Sequence, residues 1–397
     1  MLIIVLQVSW RLKIVIKNQF GVYRVGDFEF HSKLEALEMH KRTGTHPHWD
    51  FNEAMYSSYD WTIEPSENIS ELYRRRAQQL RDKYDYIVLW FSGGADSTTV
   101  LNSFVDNDIE LDEVASYIDY DATGDRGGLL NAEIVDVAVP YANKIIERCP
   151  WMKHRLVDHS QFTVDYFADT KNKFDWIYNK NMFFTPNSGW RTSIGTKIKE
   201  WRNIIDSGKK LCLLWGHEKP RMHYENKRWS FRFIDLIDNG PTVDSFAGRD
   251  LYDTELFYWS PDLPEIVIKQ AHLIKNYLSQ QNVKDLPFVG TDVSDLAYTI
   301  VDGKKYWLSN HGVHSLIYPN WNCNTFQLPK TPSIIFSPKD DWFFKLSTDT
   351  AAKDIWQSGV EKVFSTVMDY WKNDASNISK GLKACWSKDY YLEKEIK

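Results

Sequence analysis

The residues with the clearest chemical potential are Ser92, Gly93, Gly94, Ala95, Asp96, Ser97 and Thr98, which stand together in one run. They follow the apolar segment 86–91 and precede Val100, Leu101 and Phe104, whose spacing predicts a helix. A buried strand is therefore expected to end in a two-glycine turn that opens a helix. Glycines at such a turn let backbone N–H groups approach a ligand without a Cβ in the way. Ser97, Thr98 and the helix N-terminus would supply further donors and a partial positive charge. Together these groups suit the oxygens of a pyrophosphate.

The loop is not one of the commoner phosphate binders. It lacks the Gly-x-x-x-x-Gly-Lys-Ser/Thr string with its lysine, and no Gly-x-Gly-x-x-Gly fingerprint follows the strand. Its Ser-Gly-Gly-x-Asp-Ser pattern resembles the signature of the PP-loop ATP pyrophosphatase superfamily. That group includes cyano-deazaguanine synthases, tRNA-thiolating enzymes, asparagine and GMP synthetases, NAD synthetases and phosphoadenosine-phosphosulfate reductases. The resemblance covers residues 80–240. It implies a Rossmann-like, HUP-type nucleotide-binding fold and, in most members, cleavage of ATP between its α- and β-phosphates to adenylate a second substrate. The run completed by Thr99 is closest in form to the cyano-deazaguanine synthases, but their C-terminal four-cysteine zinc site has no counterpart in the spacing here. Cys385, in Ala384-Cys385-Trp386, likewise does not match the Glu-Cys-Gly motif of the reductases.

At 397 residues the chain has room for a full nucleotide-binding domain and accessory regions. Its formal charge of -6 supplies no global polycation for nucleic acid, leaving only a local basic patch as a route to such a partner. Cys149, Cys212, Cys323 and Cys385 are scattered, without a Cys-x-x-Cys pair, and isolated reduced thiols fit a cytoplasmic protein. The opening apolar run 1–8 is too short to cross a bilayer and is expected to be a strand. No membrane partner is expected.

Alternating strand and helix patterns predict an α/β fold with a doubly wound parallel sheet. Residues 1–65 are expected to form a small α+β unit, with a hairpin at 20–30 and a helix at 32–43. Residues 66–245 are expected to form the nucleotide-binding domain, and 246–397 a mainly helical, aromatic-rich region for substrate or oligomer contacts. Within the central segment a helix is expected at 66–83, then strands at 86–91, 114–120, 154–158 and 211–216. A long helix should carry Leu130, Ile134, Val137, Tyr141 and Ile145 on one face. The cluster Arg74, Arg75 and Arg76 is expected to be a solvated helix face, and Arg191, Thr192, Lys197, Lys199 and Arg202 to lie along a basic helix. A further helix is expected through Ile266, Val267, Ala271, Ile274 and Leu278. Aromatics of the tail, including Tyr318, Phe343 and Trp356, are expected to be mostly core, with base stacking as the alternative.

Ligands of a parallel sheet sit beyond its carboxyl ends, at the point where strand order reverses. That rule selects the loop 92–98, the segment Tyr117, Ile118 and Asp119, and the segment from Gly216 through His217 and Lys219 to Arg221. By the resemblance, the loop holds the β- and γ-phosphates of ATP, the backbone at 117–119 meets adenine, and Asp96 helps hold Mg²⁺. Lys219 and Arg221 are candidates for the α-phosphate or the second substrate, with ordinary surface charge as the alternative. His217 is a candidate general base or substrate contact. An ATP-dependent adenylating enzyme is thus the leading expectation. A reductase-like nucleotide-binding protein and a non-catalytic nucleotide- or nucleic-acid-associated module are the alternatives. Neither the second substrate nor the state of association, a homo-oligomer being one option, follows from these residues.

Overall fold

In the computed structural model of the chain, the described residues are 20–119, 131, 133–168, 175–178, 191, 193–217, 220–225, 227–235, 251–280, 299–301, 304–306, 316–319, 343, 350–367 and 385–395. The expected strand at 1–8 lies outside them, as do Lys219, Thr192 and Cys323.

The first unit is an antiparallel sheet of β1 (Val22–Val25), β2 (Phe28–Phe30) and β3 (His48–Asp50), with α1 (Lys33–Thr43) between β2 and β3. Ser32 caps α1 by accepting from the Glu35 amide, and Gly44 ends it in the left-handed region. A short α2 (Glu53–Tyr56) leads to α3 (Ile69–Lys83), which starts at Asn68 because that side chain accepts from the Glu71 amide.

The central layer is a five-stranded, all-parallel sheet. Its strands are β4 (Tyr86–Trp90), β5 (Glu113–Ile118), β6 (Lys153–Asp158), β7 (Leu211–Trp215) and β10 (Asp253–Leu256), and α4 (Ala95–Val105) links the first two. Between β7 and β10 lie β8 (Arg221–Glu225) and β9 (Arg228–Arg232), an antiparallel pair outside this sheet. The spatial order β10-β7-β4-β5-β6 places the strand that comes first in sequence, β4, in the middle. The chain winds outward one way through β5 and β6, then returns to the other side of β4 through β7 and β10. The order thus reverses beside β4, consistent with a Rossmann-like fold.

Residue alternation shows that helices cover both faces. Tyr86, Val88 and Trp90 share one face, where Trp201 of the helix Lys199–Asp206 meets Trp90 edge-on at 5.5 Å. Phe91 points to the opposite face and packs on Tyr141 of the helix Val139–Arg148 at 6.0 Å. On that second face α3 runs along α4. Both β4 and β7 are buried along their whole length, as central parallel strands must be.

Several expectations change. The fifth strand, β10, lies beyond residue 245, so a boundary there would cut an edge strand from its own sheet. The long helix expected from 130 begins as a π-helical turn, Glu133–Ala138, before continuing as Val139–Arg148. The second strand ends at Ile118 rather than at residue 120. The basic segment is two short helices, Ile194–Lys197 and Lys199–Asp206, and Arg191 precedes them, buried. Arg76 is also buried, so the arginine cluster is not wholly a solvated face. Helical geometry turns this one residue toward the core beside Leu72, Tyr73 and Leu80, while Arg74 pairs with Glu71 and Arg75 with Glu67.

Past the central sheet, the helix Glu265–Gln280 packs on α3, the strands β11 (Thr299–Val301) and β12 (Lys304–Tyr306) form a hairpin, and the helix Thr350–Val367 packs on the helix Ser160–Ala168. This region therefore mixes helix and strand. Finally β13 (Tyr390–Tyr391) joins the edge of β9, making a three-stranded antiparallel sheet. Tyr318, Phe343 and Trp356 are all buried, as expected of core aromatics.

Candidate functional site

The site begins where β4 stops. The Phe91 amide still donates to the Ala115 carbonyl at 2.8 Å, so the ladder with β5 persists one residue beyond the strand. Gly93 then adopts φ +77°, a conformation that residues with a Cβ rarely hold. A Cβ at Gly93 would lie 2.8 Å from the backbone nitrogen of Ala138, so the π-helical turn leaves room only for glycine. Gly94 is the N-cap of α4 and has no side chain with which to accept from the first-turn amides. Those amides and the helix dipole point out of the sheet's carboxyl edge, as an anion site requires.

Ser92 and Ser97 mainly stitch the turn together. The Ser92 amide donates to Ser97 Oγ at 3.3 Å, Ser97 Oγ donates to the Gly94 carbonyl at 3.3 Å, and the Gly94 amide donates to Ser92 Oγ at 3.3 Å. Thr98 is different, because its hydroxyl is buried and has no hydrogen-bond partner. A buried polar atom left unpaired is costly, so this hydroxyl is suited to meeting a ligand oxygen.

On the far side of the loop, β7 runs to Trp215 and Gly216. A Cβ at Gly216 would stand 3.1 Å from the Ser97 Cα and 3.2 Å from the Asp96 carbonyl, so the end of β7 touches the first turn of α4. Loop and strand end meet at the reversal of strand order. His217 follows and lies against the Trp215 ring at 5.3 Å. Tyr117 and Ile118 close β5 on the other flank of β4, and Asp119 after them is buried. Arg221 opens β8, opposite Arg232 in the antiparallel pair, five residues along the chain from Gly216. Of the expected residues, the loop 92–98 and Gly216 are thus in contact. Residues 117–119 occupy a neighbouring strand end, and Arg221 belongs to a separate sheet.

Three further residues join the site. Arg191 is buried, with its guanidinium 5.5 Å from the Tyr117 ring centre and 5.4 Å from that of Trp215. It therefore spans the ends of β5 and β7, bringing a cation to the strand ends that flank β4. Tyr258 donates its hydroxyl to the Asp96 carbonyl at 2.7 Å, and Tyr318 donates to Asp96 Oδ1. Burial and the neighbouring Asp96 charge push the Tyr318 phenol far above the ordinary tyrosine range; burial, Tyr73 and Asp96 do the same for Tyr258. Both phenols stay protonated and act as donors. Tyr258 had only a trace in the sequence, the apolar run Leu256-Phe257-Tyr258-Trp259, because the strand before it is hidden by Asp253 and Glu255. Tyr318 had none, because 222 positions separate it from Asp96.

Among the described residues, no group of three or more His, Cys, Asp and Glu side chains is placed to hold a metal ion. Among the described residues of the loop 92–98, Asp96 contributes the carboxylate. This suits Mg²⁺, which usually takes one or two carboxylates and fills its shell with phosphate and water oxygens. The glycine cradle and the unpaired Thr98 hydroxyl fit a phosphate chain in the same place. No known family model matches the chain, and no curated protein matches it. No described helix is long and apolar enough to cross a membrane.

Proposed function

We propose that the chain is an ATP-dependent adenylating enzyme of the PP-loop type. The observation that carries this reading is the glycine turn at 93–94, which opens α4 at the reversal of strand order and holds the unpaired Thr98 hydroxyl in its first turn. First-turn amides of α4 and Thr98 bind the β- and γ-phosphates. Asp96 would help hold the accompanying Mg²⁺, which would offset phosphate charge.

An oxygen of the second substrate attacks the α-phosphorus, and the bond to the bridging oxygen of pyrophosphate breaks. Pyrophosphate leaves with that electron pair, and an amine or ammonia then displaces AMP. Negative charge grows on the α-phosphoryl oxygens and the leaving group during the first step, so cations at the strand ends favour it. Arg191, against the ends of β5 and β7, is the first candidate for that work; Arg221, which opens β8 in the separate sheet, and Lys219 are the further candidates. His217 is the candidate to take a proton from the incoming nucleophile.

The experiment is incubation of the pure protein with ATP labelled at the α- or γ-phosphate, with and without candidate acceptors. Labelled AMP and pyrophosphate are expected. Acceptor-dependent ADP and orthophosphate would reject the mechanism.

A further inference from the structure

The hydrogen bonds on Asp96 come from far along the chain. Tyr258 follows β10 and Tyr318 lies in the short segment 316–319; both are fully buried. A second layer fixes that segment. Tyr73 of α3 donates its hydroxyl to the Ile317 carbonyl at 2.6 Å, and Gln270 donates to the Tyr73 hydroxyl at 2.8 Å. Residue 317 is thereby tied to α3 and to the helix Glu265–Gln280, and the next residue reaches the loop. Tyr258 and Tyr318 also pack on each other, with ring centres 5.7 Å apart.

Two donors on one residue, one to its main chain and one to its carboxylate, leave Asp96 little rotational freedom. With Oδ1 accepting from Tyr318 and the main-chain carbonyl accepting from Tyr258, the Asp96 carboxylate is held in one orientation. Free aspartate would have to give up rotamer entropy each time a cation bound.

We propose that Tyr318, supported by Tyr258 and by the Tyr73–Ile317 contact, is a positioning residue of the nucleotide site that fixes the Asp96 carboxylate for the Mg²⁺ accompanying the nucleotide. This rests on the reading of the loop as a Mg²⁺-nucleotide site. It makes cation use at the loop depend on residues that lie outside the region of family resemblance.

The test is calorimetric titration of ATP at a series of Mg²⁺ concentrations, using the full chain and its Tyr318→Phe variant. Phenylalanine keeps the ring packing and removes only the donor. The Mg²⁺ concentration for half-maximal ATP affinity should rise about tenfold, the scale of one lost hydrogen bond to a charged group, with wild-type affinity regained at saturating Mg²⁺. A merely structural role would lower affinity equally at every Mg²⁺ concentration, and that result overturns the proposal. An unshifted midpoint overturns it too. A lower midpoint does the same, showing that Tyr318 competes with the cation. If Tyr318→Phe does not fold, Tyr73→Phe, which releases residue 317 without touching Asp96, must show a smaller shift of the same sign, and its absence overturns the proposal. Wild-type protein that binds no ATP at any Mg²⁺ concentration would instead remove the reading of the loop itself.

Discussion

Arg76 and Glu255 face each other across the junction of α3 and β10, Nη2 to Oε2 at 2.9 Å, each with a side chain only 1% exposed. Lys83 and the Tyr84 hydroxyl also donate to this carboxylate, and Arg76 donates to the Leu256 carbonyl. The group anchors the edge strand whose end carries Tyr258.

Removing Arg76 leaves the buried Glu255 carboxylate with the half-buried Lys83 as remaining counter-charge and takes the Arg76 donor from Oε2. Arg76→Met is expected to destabilise the fold by about 3–5 kcal/mol in urea unfolding. Arg74→Met, two residues earlier but on the exposed Glu71 pair, should leave the midpoint nearly unchanged. Equal effects from the two variants would contradict the burial assigned to Arg76.

The same carboxylate gives the fold an acid dependence. Burial alone would raise its pKa, but the Arg76 and Lys83 charges and the hydrogen bonds outweigh burial and hold it below the ordinary glutamate value. A depressed folded pKa means that the unfolded chain binds the proton first. Its stabilisation is complete above the unfolded value of about 4.3 and falls away as pH drops through the lower folded value. Glu255→Gln should flatten the acid limb of stability against pH, measured by thermal unfolding between pH 3 and 6 on the order of that window.

Gly93 and Gly26 separate backbone strain from crowding. Both have positive φ, but a Cβ at Gly26 meets nothing within 4 Å. Gly26→Ala should cost about 1–2 kcal/mol from conformation alone. Gly93→Ala carries that strain and also drives a methyl into the Ala138 backbone, so it should cost a further ~1–3 kcal/mol and weaken ATP binding. Similar losses of stability in the two variants would show that the π-helical turn yields easily.

The described cysteines should be chemically quiet. Cys149, Cys212 and Cys385 are free and buried. Burial pushes the Cys212 thiol well above its usual range, and burial with the nearby Asp235 charge pushes Cys385 up to about 12. In native protein at pH 8 on the order of minutes, iodoacetamide should leave Cys212 and Cys385 unmodified, with full labelling after denaturation, as read by peptide mapping. Rapid native labelling of either would contradict its burial.

What was legible in the sequence followed from uninterrupted local patterns. β4 and β7 are apolar runs bounded by turn residues, and the glycine loop between β4 and α4 carries its own signature. β10 was obscured because Asp253 and Glu255 interrupt its apolar pattern, and the arginine that compensates Glu255 lies 179 positions away. The π-helical turn was invisible for a related reason, since its apolar spacing matches an ordinary helix closely enough. Tyr318 and Arg191 were missed as site residues because their roles depend on which strand ends the fold brings together.

The strand β13 and its neighbours set an order of assembly. Asp235 is buried with Lys33 and Tyr23 on one side and the Cys385 amide on the other, and the Trp386 carbonyl accepts from the Trp49 amide. On the ribosome, the parallel sheet is fully translated once β10 has emerged. The N-terminal sheet, though made first, must wait for residues 385–392 before its buried charge has all its partners, so its completion marks the arrival of the last described segment of the chain.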